Sequence, residues 1–299
     1  MTQAAVLEPQ VELIEPDSLL GWMAGQWTYL PMNGAAFMMQ GMHPVIGDVT
    51  QKYSVALTDP GGRAIRSLDS VQQWIFGGRA AIEEGNRLRR LHQPLQMRNA
   101  EGRHISALNP EAYAWVIATA YVTTAAAAPL LLGRPFTEDE LDALFRDTVR
   151  VAKIVQVPMS HFPQSREEYD VYFKKMVAET LVAHPYIMEI IGEMKRGQLP
   201  PSLPAPVRWA LRKVLRPVFD ATYLTTIGVM EPEVRDILGI EWTDRDQRRL
   251  ENIWRVIRVA YRVLPERITY TPLAYHARRH HAVIQKMRRR ELKSFVDPH

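Results

Sequence analysis

Apolar residues recur at steps of three and four along most of the chain, and strand-like alternation is scarce. Asp17 or Ser18 can cap a first short helix that carries Leu19, Leu20, Trp22 and Met23. An apolar, methionine-rich run over 35–47 (AFMMQGMHPVIG, after Ala35) reads as a buried helix that Pro44 ends or kinks. The turn Thr58-Asp59-Pro60-Gly61-Gly62 launches a helix over 63–76 with Ile65, Leu68, Val71 or Gln72, and Ile75 on its inner face. A second amphipathic helix covers 79–95. Its inner stripe is Ile82, Gly85, Leu88, His92 and Leu95, and Glu83, Glu84, Arg87 and Arg90 are expected in water. Residues 97–108 carry turn formers and a short β-like piece, read as a hairpin. Asn109-Pro110-Glu111 then opens a long neutral helix with a capping side chain, a proline and an acid in that order. Thr137-x-x-Glu140 and Ser165-x-x-Glu168 form capping boxes before helices over 138–156 and 166–182. His184-Pro185 starts a short helix that ends near Gly197. Further helices are expected over 207–224, 244–264 and 272–293.

The pattern therefore predicts an all-α fold: an extended arm over 1–16, then one helical domain over 17–299 forming a multi-helix bundle around a cavity. The Pro-rich run 198–206 (QLPPSLPAP) is expected to be a crossover inside that domain.

Composition narrows this picture only slightly. The 299 residues are 46% hydrophobic and 23% charged, with a net charge of +4, as in an ordinary globular protein. There is no cysteine, which excludes disulfides, iron–sulfur ligation and covalent C-x-x-C-H haem attachment. The N-terminus lacks the basic start and apolar core of an export signal, so a cytoplasmic location is expected. Nothing marks a nucleic-acid partner. The last quarter is rich in arginine, and Arg288-Arg289-Arg290 makes the helix 272–293 a candidate for weak contact with an anionic membrane surface. The stretch 112–133 has no charge and the length of a membrane span, but alanine and threonine dominate it and Pro129 interrupts it. A buried central helix is the expected reading.

His92 is the residue with the most chemistry to offer. It stands in line with an apolar stripe one turn after Arg89, and Gly85, two turns earlier, has no side chain to fill the space above the imidazole. A flat, apolar, iron-bearing ring needs such a helix; a core histidine bonded to a carbonyl would look the same. Other motifs are weaker. No phosphate loop, G-x-S-x-G elbow or H-E-x-x-H pair is present. Glu101-x-x-His104 has di-iron spacing but lies in the turn-rich segment. His276, His280 and His281 share a helix with arginines that would repel a metal ion.

The order of five short segments adds a further signal: Gly41-Met42-His43-Pro44, Arg63-Ala64-Ile65-Arg66-Ser67, Arg89-Arg90-Leu91-His92, 102–110 (GRHISALNP) and Trp115-Val116-Ile117-Ala118-Thr119. Over roughly 20–265 this succession resembles the haem-dependent oxygenases that include the rubber oxygenases (latex-clearing proteins) and the farnesyl-cleaving oxygenase of mycophenolic acid synthesis. The resemblance implies an all-helical fold, haem b, dioxygen, and an apolar substrate such as an alkene, isoprenoid or aromatic. It implies that His92 is the proximal iron ligand and that Arg63, Arg66 and Ser67 form the distal segment. The family's distal lysine is Arg66 here, a permanently charged donor that does not easily ligate iron. Asp48 is the nearest counterpart of the family's upstream carboxylate base. Arg63, Arg79 and Arg89 are candidate partners for haem propionates, and Phe37, Met38, Met39 and Met42 are expected to line the cavity.

Two departures stand out. Ile117 replaces a histidine common in the family, and Pro94 is expected to bend the helix beside His92. The alternative reading is therefore a non-catalytic helical carrier, or a pseudoenzyme, that holds a lipid-like ligand in the same cavity.

Overall fold

A computed structural model describes residues 11–291 apart from 198, 200 and 201. Most of the expected arm (1–10), three of the nine residues of the Pro-rich run (198, 200 and 201), and positions 292–293 of the last helix lie outside the described residues. The fold is all-α. In chain order the helices are α1 (Leu19–Ala24), α2 (Tyr29–Met42), α3 (Pro44–Tyr53), α4 (Pro60–Phe76) and α5 (Ala80–His92). A small antiparallel hairpin follows, β1 (Gln96–Arg98) with β2 (His104–Ser106), in which Met97 pairs with Ile105. Then come α6 (Pro110–Leu132), α7 (Glu138–Ile154), α8 (Arg166–Glu179), α9 (Pro185–Arg196), α10 (Ala205–Val214) and α11 (Arg216–Gly228). The last are α12 (Pro232–Ile237), α13 (Asp244–Val263), α14 (Glu266–Thr269) and α15 (Pro272–Glu291).

Local chemistry sets these boundaries. Ser18 accepts from the Gly21 amide at the start of α1, Asp59 from Gly62 at α4, and Asn109 from Ala112 at α6. Thr137 and Glu140 form the full reciprocal capping box at α7. At α8 the box is displaced: Ser165 accepts from Glu168, but the Glu168 carboxylate accepts from the Gln164 amide. His43 divides the methionine-rich run, since its ring accepts from the Val45 amide and Pro44 opens α3. Pro217 likewise separates α10 from α11, where one continuous helix was expected, because a proline at a helix start lacks the amide that would continue the ladder.

The neutral α6 is the centre of the bundle. Trp115 is fully buried, and its indole donates to the Met39 carbonyl at 2.9 Å, which fixes α6 against α2. Tyr29 and Thr124 share a buried hydrogen bond of 2.8 Å between the same helices. α6 is the one described helix long and apolar enough to cross a membrane, and over half of its apolar stretch is buried in the bundle. Pro129 sits in its last turns without ending it, and Gly133 closes it in the left-handed region. On the other side, Gln72 of α4 donates to the Ala24 carbonyl at 2.7 Å and accepts from Thr271 at 2.6 Å, so α4 is tied to α1 and to the segment before α15.

The junction of α5 with the end of α7 governs the site. Gly85 meets the Ile154 backbone so closely that an added Cβ would lie 2.2 Å from the Ile154 carbonyl oxygen. The expected space above the imidazole is therefore filled by a neighbouring helix, and the glycine serves backbone approach instead. One residue on, Asn86 accepts from the Gln156 side chain, and Arg89 reaches the Gln156 carbonyl. Gln156 is the described non-glycine residue with positive φ, 61°, where α7 turns off. The prediction is direct. Gly85→Ala puts a methyl group into backbone that cannot rotate away, and it should cost about 1–3 kcal/mol. Urea unfolding would register this as a lower midpoint, whereas Gly61→Ala, in open space, should be nearly neutral.

Candidate functional site

α4 and α5 run beside one another and, with α2, α3, α6 and α7, enclose a cleft of about 770 Å³. Its walls are largely apolar and include Phe37, Val71, Trp74, Leu88, Leu91 and Ile117. Four of the residues singled out from sequence line it: Arg63, Arg66 and Ser67 from α4, and His92 from α5. A smaller space lined by Val49, Leu95 and Tyr113 adjoins it and shares Arg63, Leu88 and His92, so His92 stands between the two.

The state of His92 follows from its contacts. Nδ1 donates to the Leu88 carbonyl at 2.8 Å, a bond the helix supplies one turn back. Burial pushes the imidazole pKa down and the Arg63 charge lowers it further, against the carbonyl bond, which raises it. The ring is thus neutral near pH 7 with its proton on Nδ1. Nε2 keeps a lone pair and makes no hydrogen bond with the described residues. Tyr113 meets the ring edge to face at 6.4 Å between centroids, and its own hydroxyl donates to Val155 at 2.9 Å. Burial pushes the Tyr113 phenol up to about 12, so it stays neutral as well.

The α4 face is cationic. Arg63 donates to the Ser67 hydroxyl, which donates back to the Arg63 carbonyl at 2.9 Å. Burial, and the neighbouring Arg66 charge, lower the Arg63 pKa against a contribution from Tyr186, although an arginine so placed keeps its proton. Arg66 is more exposed and pairs with Asp59 at 3.2 Å. Ile65, expected inside, is 61% exposed. The helix is turned so that the two arginines and Ser67 flank the cleft and the isoleucine faces out.

Sequence reasoning missed a polar cluster in the same wall. Glu84, expected in water, is buried and lines the cleft with Ser70 and Arg87. Its carboxylate accepts from Ser70 at 2.6 Å and from both Nε and NH2 of Arg87 at 2.5 and 2.6 Å. Glu84 lies one position before Gly85, on the edge of the apolar stripe, and Ser70 lies on a different helix. Only the pairing of α4 with α5 reveals the partner. Trp74 also has its indole N–H buried with no acceptor among the described residues.

Other residues lie elsewhere. Asp48 does not line the cleft; its Oδ1 is 3.2 Å from Nε2 of His184, which holds α3 to the start of α9. Arg89 points to the end of α7 and Arg79 is exposed, so the cleft's third cation is Arg87. Phe37 lines the cleft, but Met38, Met39 and Met42 are packed in the core. Pro94 lies beyond the end of α5 and bends nothing. Ile117 faces the cleft as an apolar wall. His281 is flanked by Glu15 at 3.2 Å and Asp17 at 3.4 Å rather than by arginines alone, at the surface and away from the cleft. Glu101 and His104 sit on the exposed hairpin.

The family model described as ER-bound oxygenase mpaB/B'/rubber oxygenase, catalytic domain, matches residues 21–259. Two uncharacterized mycobacterial proteins, Mb2261 of Mycobacterium bovis and Rv2237 of Mycobacterium tuberculosis, are each 29% identical over 174 residues, 58% of this chain. The chain covers 64% of the length of each of these relatives. No solved structure matches it significantly.

Glu84 gives the site a pH signature. Its hydrogen bonds from Arg87, against a smaller effect of burial, hold its pKa below the usual carboxylate value. Such a group stabilises the fold fully above its unfolded pKa, about 4.3, and that contribution is lost as pH falls through the lower folded value. Glu84→Gln should therefore cost about 1–3 kcal/mol at neutral pH, toward the lower end because Arg87 is half exposed. It should also flatten the acid limb of stability below roughly pH 4.5, as urea titrations at a series of pH values would measure.

Proposed function

Since the chain belongs to the family of the ER-bound oxygenases mpaB/B' and the rubber oxygenases, we propose that it is a haem b-dependent oxygenase acting on an apolar small molecule. The observation that carries the proposal is the state of His92: a neutral imidazole, oriented through Nδ1 by the Leu88 carbonyl, with Nε2 unengaged on the wall of a cleft. An iron ligand requires that tautomer and that kind of orienting bond. An ordinary core histidine is expected to have both nitrogens satisfied or packed away.

The rest of the cleft fits the group. Haem presents a flat apolar ring and two carboxylates. Trp74, Leu88, Leu91 and Ile117 offer apolar walls, and Arg63 and Arg66 offer cations, Arg87 being held by Glu84. The cleft has the size usual for cofactor and small-molecule sites. The cofactor would supply the chemistry of dioxygen, and the protein would supply ligation, shape and polarity.

His92 would hold the iron. Arg63, braced by Ser67, is the better placed cation for a propionate because it is more buried than Arg66 and pairs with no carboxylate among the described residues. Arg66, at the more exposed position, would donate to a polar atom of the substrate or to dioxygen. It stays protonated, so it orients by hydrogen bonding and does not take up a proton. Ser67 can pass its hydroxyl hydrogen between the Arg63 carbonyl and an acceptor in the cleft. Ile117 and the neighbouring Val116 keep water from the far wall and favour an alkene, isoprenoid or aromatic over a polar substrate.

The experiment is an absorption spectrum of the purified protein with haem added, beside His92→Ala and Arg63→Ala. Wild type should show a Soret band at one haem per chain. His92→Ala should lose it at unchanged helicity. Arg63→Ala should weaken retention by about 1.5–3 kcal/mol, the worth of a charged hydrogen bond. A wild type that takes up no haem would instead point to a carrier of apolar ligands.

A further inference from the structure

α10 is a helix with no buried residue. Within it only Arg208 and Leu211 are half-buried, as is Leu215 just past its end. Trp209 is 61% exposed, Val214 73%, and Val218, in the first turn of α11, 58%. Exposed apolar side chains are common singly, but a tryptophan and a valine on a helix that packs so little, followed by another exposed valine in the first turn of the next helix, are not accounted for by folding.

The charge around them is one-sided. From Lys195 to Phe219 there is no acidic residue, while Lys195, Arg196, Arg208, Arg212, Lys213 and Arg216 are basic. Asp220, paired with Arg216 at 2.9 Å, is the first carboxylate after them. Arg212 donates to the Gly197 carbonyl and Arg216 to the Lys195 carbonyl, which anchors α10 and α11 to the end of α9 while leaving the Arg212 charge uncancelled. The Lys213 ammonium lies 3.9 Å from the centre of the Trp209 ring, so the cation and the aromatic form one surface.

We propose that α10 and the first turn of α11 form a docking surface for an anionic lipid bilayer. Trp209, Val214 and Val218 would enter the boundary between headgroups and acyl chains, and the flanking arginines and lysines would face the phosphates. Large amphipathicity, a basic polar face and a tryptophan are the features that make a helix lie in that interface. A shallow, largely apolar groove lies beside Val218, lined by Leu57, Ile190, Met194 and Phe219 together with Glu193, whose carboxylate pairs with Arg196, and it reaches Gly61 at the start of α4. One turn further along α4 stand Arg63 and Arg66 at the cleft. The docked face is thus at the end of the molecule where the cleft's own helix begins.

This surface is distinct from the basic C-terminal helix expected from sequence. α15 carries Arg288, Arg289 and Arg290 on its last turn, but the apolar residues exposed near them, Val283 and Met287, include no aromatic anchor. The exposed valines of α13, Val256, Val259 and Val263, lie among Arg255, Arg258 and Arg262, but the aromatic residues of that stretch, Trp254 and Tyr261, are buried and half-buried, so they present no exposed aromatic anchor.

The test is co-sedimentation of the full chain with vesicles of phosphatidylcholine alone and of phosphatidylcholine with about a third phosphatidylglycerol. Wild type should pellet with the anionic vesicles, remain largely in solution with the neutral ones, and be released by high salt. Trp209→Ser combined with Val214→Ser, and separately Lys213→Glu, should each weaken binding by about tenfold with an unchanged melting temperature. Val256→Ser with Val263→Ser should bind as wild type, as should the triple change of Arg288, Arg289 and Arg290 to Gln. No binding by wild type, or loss of binding on the α13 or α15 changes with the α10 variants intact, would overturn the proposal. So would a change of oligomeric state in the Trp209 variant, which would make the patch a protein interface.

Discussion

The contact between Gly85 and the Ile154 carbonyl is the constraint on which the site depends. It brings the backbones of α5 and α7 closer than any side chain would permit, and the Asn86–Gln156 and Arg89–Gln156 bonds lock the same approach. With α5 held there, its rotation is fixed, and residues one turn apart share a destination. His92 then faces the cleft two turns beyond the contact, and Glu84, one residue before it, faces Ser70 of α4. Arg89, next to this joint, is thereby a positioning residue for the whole helix rather than a group exposed to a ligand.

The electrostatics of the cleft follow from the same geometry. A neutral wall comes from α6, where Val116 and Ile117 offer no charge, and a charged wall comes from α4 and α5. On that charged wall Glu84 is neutralised by Arg87, leaving Arg63 and Arg66 as surplus cations beside a neutral histidine. Arg66 is partly offset by an exposed Asp59, a pairing worth little in solvent. The Arg63 charge lowers the His92 pKa, so the cations favour the lone pair that a metal ligand needs while they attract anionic groups. These two effects would conflict had the histidine been meant to carry charge.

Much of the fold was legible because caps and period are local properties. Asn109-Pro110, Thr137 with Glu140, and Ser18 each state where a helix begins, and the structure begins one there. Reading 207–224 as one helix failed at Pro217, which closes nothing in the sequence pattern but removes the amide that would bridge α10 to α11. In the site, His92, Arg63, Arg66 and Ser67 could be named from a family pattern. Glu84 could not, because its burial depends on a serine fourteen residues away on another helix and on an arginine that periodicity alone assigns to water. Asp48 failed for the reverse reason: spacing placed a carboxylate near the arginines, but α3 turns it toward His184. The methionines were misjudged because an apolar run shows that residues are inside without showing which cavity they face.

The exposed α10 patch and the cleft make joint sense when the proposed apolar substrate is considered. An apolar small molecule is concentrated in a bilayer rather than in water, since each buried methylene favours the apolar phase by about 0.8 kcal/mol. A cleft walled by Trp74, Leu88, Leu91 and Ile117 therefore gains from opening near that phase. α4 supplies the connection, because Gly61 in its first turn borders the groove beside α10 and its first two turns carry Arg63 and Arg66. Basic side chains at the boundary would orient the molecule on the membrane, while those at the cleft would bind the carboxylates of the cofactor. The positive charge of this chain is modest in total, +4, but under the two proposals its placement at these sites would give it two separate uses.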